Sequence, residues 1–255
     1  MDLSQITPLI ITYNEEANIS RVLGRLTWAQ EIVVIDSGST DKTLELVAGF
    51  PQARVVTRAF DSFASQCNFG LAQVSTPWVL SLDADYVLGQ GFEDELRGVD
   101  GETSGYRAQF RYCIFGKALR GTLYPPRTVL YQRSHAVYES DGHGHRVKIS
   151  GSVRSLASII YHDDRKPLKR WLGSQITYAE QEANHLLNPP ETGLNFADRL
   201  RLRIFVAPVL VFLYTLLWKR LVLDGFAGWH YVFQRTLAEL MLSLKILDQK
   251  LRRKS

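Results

Sequence analysis

Apolar and polar positions follow two alternating periods over the first 85 residues. Short continuous apolar, β-branched runs stand at residues 8–13 (PLIITY), 31–36 (EIVVID), 53–58 (ARVVTR) and 78–85 (WVLSLDAD). Runs of this length bounded by turn-forming residues predict strands, the first and the last of them buried. Between them the period lengthens. Ile19, Val22, Leu23 and Leu26 fall at i, i+3, i+4 and i+7 of NEEANISRVLGRL (14–26), one face of a helix. SGSTDKTLELVAGF (37–50) supplies a turn, capping residues and a second helix, and SFASQCNFGLAQV (62–74) a third. Four strands alternating with three helices predict an α/β fold with a doubly wound, mostly parallel, Rossmann-like sheet.

The middle of the chain is less periodic. SGYRAQFRYCIFGKAL and RTVLYQRS predict strands joined by a turn at GTLYPPR, and ESDGHGHRVKISGSVRS a polar loop returning into a hairpin. KRWLGSQITYAEQEANHLL (169–187) predicts a helix, and NPPETG (188–193) a linker. The pattern therefore divides into a body, 1–195, with halves of about 1–90 and 91–195, and a tail, 196–255. In the tail, IFVAPVLVFLYTLLW (204–218) is almost wholly apolar, and a second, mixed segment runs from 229 to 251. As a helix, 204–218 would be about 22 Å long at 1.5 Å per residue, short of a bilayer core of about 30 Å.

Charge sharpens that division. Residues 199–255 hold 11 Lys and Arg against 3 Asp and Glu, whereas residues 1–198 hold 19 against 23. Arg199, Arg201 and Arg203 precede the apolar run, and Lys219 and Arg220 follow it. Positive charge on both flanks predicts helices that associate with one anionic leaflet, as opposed to spanning or to binding nucleic acid. The competing expectation is that both helices pack on the body. Two cysteines, Cys67 and Cys113, do not make a disulfide framework and fit a reducing compartment. The N-terminus has no basic residue ahead of an apolar stretch, so no signal peptide is expected. A cytoplasmic chain, peripheral on the inner face of the membrane, follows.

Ligands of open α/β sheets bind beyond the carboxyl ends of the strands. Thr12-Tyr13-Asn14-Glu15, Asp36-Ser37-Gly38-Ser39 and Asp83-Ala84-Asp85 all fall at such ends. In an extended chain Asp83 and Asp85 point the same way. Two carboxylates that close raise each other's pKa unless a cation lies between them, and hard oxygen ligands suit Mg²⁺ or Mn²⁺. The bland alternative is a solvated loop in which one Asp caps a turn.

TYNEE, EIVVIDSGSTDKT and VLSLDAD, in that order and each at a strand end, resemble glycosyltransferase family 2, whose members are inverting enzymes of GT-A fold. YESDGHGHRVKISG followed by IIYHDDRKPLKRW is similar to bacterial members that build lipopolysaccharide core, among them β-1,4-glucosyltransferases. The resemblance implies a UDP-sugar donor, with residues 1–90 binding the nucleotide and 91–195 the acceptor. It assigns Asp36 to the uracil N3–H, which suits an acceptor-only carboxylate. Thr12, Tyr13 and Glu15 would floor the base and ribose beside Ser37. Asp41 would contact ligand or cap a helix, Asp83 would lie near ribose or metal, and Asp85 would ligate Mg²⁺ or Mn²⁺ on the diphosphate. The family often has Glu after this motif; here it is Tyr86.

Inversion needs a base for the acceptor hydroxyl. The DGH stretch makes Asp141 the first candidate, Glu139 the second, and His143 a further one that orients acceptor or touches diphosphate. A solvated turn is the alternative for this loop. Arg127 and Arg133 are candidates for an anionic acceptor. His162, Asp163 and Asp164 form another polar cluster, explicable as a helix start before Pro167. The expected acceptor is a membrane glycolipid such as lipopolysaccharide core, with a polyprenyl phosphate as the near alternative. An Asp-nucleophile phosphatase, with Asp83 of DADYV attacking phosphorus and HDD (162–164) as a distal metal pair, and a non-catalytic nucleotide-sugar-binding protein are the readings from other classes.

Overall fold

A computed structural model describes residues 1–141, 144–189 and 193–253. The chain forms two compact units: Met1–Ala118 with Tyr124–Arg165, and Leu119–Leu123 with Lys166–Ser255. The division falls at Arg165, about thirty residues before the 195/196 boundary expected from the linker, so the long helix after Pro167 belongs to the second unit.

The first unit opens with β1 (Ile6–Thr12), α1 (Ile19–Leu23), β2 (Ile32–Asp36), α2 (Thr43–Ala48), β3 (Ala53–Thr57), α3 (Phe63–Gln73) and β4 (Trp78–Asp83). β3, β2, β1 and β4 lie side by side and parallel. Alternate residues feed two cores. Ile6, Ile10, Ile32, Val34, Leu80 and Leu82 meet Ile19, Val22 and Leu23 of α1. Leu9, Val33, Ile35 and Val79 meet Ala64, Cys67 and Leu71 of α3. Helices on both faces are why β1, β2 and β4 read as unbroken apolar runs, while β3, at the sheet edge, is largely exposed.

The chain then adds β5 (Tyr86–Leu88), α4 (Phe92–Gly98), β6 (Gly105–Ile114), β7 (Lys117–Ala118), β8 (Arg127–Gln132), β9 (Ala136–Asp141), β10 (Gly144–Ile149) and β11 (Val153–His162). The large sheet runs β3-β2-β1-β4-β8-β6-β11-β5, with β7 on β6, and β9–β10 is a separate hairpin. β8 is antiparallel to both β4 and β6, while β6 and β11 are parallel. Parallel order thus holds through the first four strands and is mixed beyond them. β4 and β5 stand far apart in this order, yet only Ala84 and Asp85 separate them in the chain. The sheet therefore curls, since two residues cannot bridge four strand spacings otherwise.

Two elements expected from the pattern are altered. The helix over 14–26 shrinks to Ile19–Leu23, because Asn14 takes a left-handed φ of 53° and the residues after it bond to the next loop instead. The apolar run 204–218 is α-helical only over α7 (Val206–Leu213), after which Tyr214–Trp218 widens into a π turn.

The second unit is helical: α5 (Leu168–Leu187), α6 (Phe196–Arg201), α7 and α8 (Gly225–Arg252). Ala179, Ala183 and Leu186 of α5 pack on Leu242 and Ile246 of α8. Arg201 bridges Glu182 at 2.9 Å and Glu239 at 3.2 Å. Among the described residues no single helix is long and apolar enough to cross a membrane. The pair Val206–Trp218 and Leu221–Arg252, bent by 65°, passes that test together. At the bend, a Cβ on Gly228 would stand 1.9 Å from the Leu221 carbonyl oxygen. Gly228→Ala is therefore expected to cost about 2 kcal/mol or more through overpacking against backbone. Chemical denaturation would show this as a lowered midpoint, and an unchanged midpoint would mean that the bend opens freely.

Candidate active site

The parallel register brings the polar strand ends together: Thr12 pairs with Asp36, and Ile11 with Asp83. Loops from β1 and β2 are stitched to each other. Asn14 N donates to Ser39 Oγ at 2.8 Å, Glu15 N to Thr43 Oγ1 at 2.6 Å, and Thr40 N to Asn14 Oδ1 at 2.7 Å. Asp41 accepts from Glu16 N at 3.2 Å and Thr43 N at 3.0 Å, which makes it a staple between the two loops. Glu15 is buried and accepts from Asn18 Nδ2 at 2.8 Å, while Tyr13 is half exposed.

Asp36 is 0% exposed. Its Oδ2 accepts from Gly38 N and Ser39 N, both at 2.9 Å, and its Oδ1 from Ser39 Oγ at 2.5 Å. The carboxylate thus shapes its own loop, in which Gly38 holds φ 89° and Ser37 Oγ accepts from Gln66 Nε2. Thr12 Oγ1, at the floor of this edge, is buried and has no hydrogen-bond partner among the described residues. A buried hydroxyl without a partner is costly in a resting protein and serves where a ligand supplies the bond.

Asp83 ends β4, whereas Asp85 lies in the turn before β5. The two carboxylates therefore do not share a strand, and the i, i+2 argument for their common direction does not apply. Asp85 turns toward β11, where its Oδ2 lies 3.2 Å from His162 Nε2. Tyr86, Tyr112 and Tyr124 enclose that imidazole at ring distances of 5.2, 4.7 and 4.8 Å. His162 is the residue whose part in the site was missed. Its pairing with Asp85 spans 77 positions and rests on β11 lying beside β5.

Burial opposes charge on His162, but the Asp85 carboxylate and its hydrogen bond, with Asp83 and Asp164 beyond, outweigh it and raise the pKa above the ordinary 6.5. A pKa higher in the folded chain than in the unfolded one gives stability that is complete below the unfolded value. That stability is lost as pH rises through the folded value. Metal-free protein is therefore expected to lose part of its thermal stability across that window, and His162→Gln to flatten the dependence. Melting in chelator from about pH 5.5 to about pH 9 checks this.

Asp163 and Asp164 do not help form a metal pair. Asp163 accepts from Arg21 Nη1 at 2.6 Å, Arg165 Nε at 2.9 Å and Gly116 N at 3.0 Å. Asp164 accepts from Asn18 Nδ2 at 3.1 Å. This clasp carries β11 past the turn, where Asp163 N also bonds the Asp85 carbonyl at 3.1 Å. The Arg127 guanidinium stacks 4.8 Å over Tyr124, at the end of β8 nearest Asp83. Arg133 stands at the other end of the same strand pair, where its N–H bonds the Pro77 carbonyl, so the two arginines do not serve one site.

The hairpin holding the candidate bases is anchored through Tyr138. Its hydroxyl lies 2.8 Å from Ser81 Oγ and 2.8 Å from Tyr131, and its backbone exchanges two 2.9 Å bonds with the Asn68 amide. Ser81 precedes Asp83 by two residues, or about 7 Å along β4. Glu139 points outward and pairs with Lys148 at 2.7 Å. Asp141 closes β9, and His143 lies outside the described residues.

No three His, Cys, Asp or Glu side chains close a metal cage among the described residues. That donor set fits a Mg²⁺-like ion, which takes one or two carboxylates and completes its shell from substrate phosphates and water. One or two carboxylates, Asp85 and Asp83, would be this chain's share of such a shell; beside Asp85, His162 keeps a buried Nδ1 that has no hydrogen-bond partner among the described residues.

Comparison with known proteins agrees with this geometry. The family described as "Glycosyl transferase family 2" matches residues 8–110. A lipopolysaccharide core biosynthesis glycosyltransferase, LpsC, of Rhizobium meliloti is 34% identical over 137 residues, which are 51% of this chain and 48% of that protein. The matched part is thus about half of that relative's length. An uncharacterized glycosyltransferase of Rickettsia prowazekii is 25% identical over 89% of this chain and 81% of its own. Among solved structures, a mannosyltransferase of Pyrobaculum calidifontis, in complex with GDP-Man and Mn²⁺, aligns over 98% of this chain and 88% of its own. Its identity is 15% and its TM-score 0.54. A glucosyl-3-phosphoglycerate synthase of Mycobacterium tuberculosis, with Mn²⁺ and UDP, aligns over 75% and 82% at 18% identity and TM-score 0.50. These two likenesses carry the GT-A fold. With the three motifs at one sheet edge, residues 8–110 match the family 2 glycosyltransferase domain, and over longer stretches the chain is similar to proteins named as glycosyltransferases.

Proposed function

We propose that this enzyme moves a hexose, glucose in the first instance, from a UDP-sugar to a glycolipid acceptor of the lipopolysaccharide-core type, with inversion and with Mg²⁺ or Mn²⁺. The observation that carries the reading is the convergence of Thr12, Asp36 and Asp83 through β1–β2 and β1–β4 pairing, with Asp85 joined to His162 beside them. The name of the Rhizobium relative supports the acceptor class, UDP in the synthase structure supports the donor, and Mn²⁺ in both the synthase and the GDP-Man-bound mannosyltransferase supports the ion.

The chain's own residues divide the work. Thr12 Oγ1 offers a buried hydroxyl to the nucleoside. Asp36 reads the uracil N3–H once the Ser39 hydroxyl releases Oδ1, and otherwise keeps the loop in place. Tyr13, Glu15 and Ser37 line the same edge, and Asp41 holds the loops at a fixed separation. Asp85, Asp83 and His162 hold the diphosphate end; the ion there would offset charge on the leaving nucleoside diphosphate. Asp141 takes the proton of the acceptor hydroxyl, with Glu139 and His143 as the other candidates on the same hairpin. The phosphatase reading loses its support, because Asp163 is committed to Arg21 and Arg165.

The reading is tested by donor hydrolysis. Purified protein with UDP-, GDP- and TDP-sugars, with Mn²⁺, Mg²⁺ or chelator, is expected to release UDP from one sugar donor and only with metal. Equal turnover of all three nucleotides, or turnover unchanged in chelator, would overturn the assignment of the site.

A further inference from the structure

Surface helices normally turn their apolar stripe inward and their polar face to water. The stretch from α7 to the start of α8 does the reverse. Val209, Leu210, Leu213, Leu217 and Trp218 recur at helical spacing and are all exposed, Trp218 to 77%. Ala207, Thr215 and Leu216 form the buried side, and the Thr215 hydroxyl returns to the Val211 carbonyl at 2.7 Å. At the 65° bend the apolar surface continues through Leu223, 59% exposed, and Phe226, 96% exposed. Such a continuous patch marks an interaction site.

Charge selects the occupant. No Asp, Glu, Lys, Arg or His lies between Phe205 and Trp218, while Arg199 and Arg203 precede the stretch and Lys219 and Arg220 follow it. The Lys219 ammonium lies 5.5 Å over the Tyr214 ring. Asp224 is the sole acidic residue from 199 to 238. It is buried in the bend, where Arg120 N and Nε bind its carboxylate at 2.9 and 3.1 Å. The bend therefore presents apolar side chains rimmed by cations and no outward negative charge. We infer that residues 205–226 form a docking wedge for an anionic lipid bilayer, with Trp218, Leu223 and Phe226 inserted at the headgroup level and the helices lying in one leaflet. The wedge deepens the glycolipid reading by naming the surface on which the acceptor is met, and its evidence is separate from the donor site.

The test is flotation of the full chain with vesicles of phosphatidylcholine alone and with about a third phosphatidylglycerol. The chain is expected to float with the anionic vesicles, and less so in high salt. Leu217→Ser with Trp218→Ser is expected to weaken partition at least about tenfold. Arg199→Glu, Arg203→Glu and Arg220→Glu together are expected to weaken it about a hundredfold. Quenching of Trp218 emission by brominated lipid, lost in Trp218→Phe, reports insertion in otherwise unchanged protein. A folded chain that stays below the anionic vesicles would overturn the proposal. A stable dimer that both apolar substitutions dissociate would overturn it too, by assigning the face to a second copy. UDP release in vesicle-free solution, unaltered by the wedge variants, keeps failure of docking distinct from failure of the transferase reading.

Discussion

Asp85→Asn is expected to lower metal-supported UDP release by about a thousandfold, since several kcal/mol of transition-state stabilisation resides in charge neutralisation at the leaving diphosphate. The substitution removes one negative charge and little else. Asn keeps the size of the side chain and an oxygen that accepts from His162 Nε2, now 3.2 Å away. The Asp85 carbonyl that binds Asp163 N is backbone and remains. The fold should therefore survive, with a denaturation midpoint close to that of the parent, so that lost activity reports chemistry. The loss should appear in the chemical step, with saturating donor failing to restore it. If Asp85→Asn keeps more than about a tenth of the parent rate, the carboxylate has no metal to hold and the diphosphate end of the site is wrongly placed.

Asp163→Ala should have the largest effect on stability, about 3 kcal/mol, which in a chain of this size is a fall of roughly 6–12 °C in Tm. Its carboxylate is 6% exposed and answers two guanidiniums and one backbone N–H. Removing it leaves Arg21, whose charge burial already disfavours, without its nearest anion. The arginines keep partial solvent access, 27% and 38% of their side chains, which places the cost at the lower end for a broken buried pair. Asp163→Asn should lose less, because its amide oxygen still accepts. Thermal melts at neutral pH decide this, and a loss below about 1 kcal/mol would make the cluster an ordinary solvated pairing.

How much of this was legible in the sequence depended on distance along the chain. β1, β2 and β4 could be read because helices on both faces demand unbroken apolar runs, β3 because its short β-branched run suits an edge strand even though most of it is exposed, and their loops because strand ends carry ligand chemistry. β5 and β11 were missed for a local reason. Tyr86–Leu88 is three residues long, and β11 is broken by a register shift between Ser155 and Ile159, where the Ala157 and Ser158 N–H groups bond the Glu95 carboxylate. Without β11 there was nothing to place His162, which reads as the start of a helix until a strand is set beside β5. Asp36 shows another limit. Its type and position were visible, but not that its oxygens are engaged by Ser39 and Gly38. The unit boundary fell before α5 because the small face of that helix, Ala179 and Ala183, meets α8 some sixty residues later. A Pro-rich linker after α5 is the louder signal and the less informative one.

The most direct test of the donor site is titration of Mn²⁺ by electron paramagnetic resonance with and without UDP, in the parent chain, Asp85→Asn and His162→Ala. If Asp85 and His162 hold an ion that the diphosphate completes, Mn²⁺ should bind tightly only when UDP is present, and each substitution should abolish that coupling. Mn²⁺ uptake that is indifferent to UDP, or that survives both substitutions, would contradict the account.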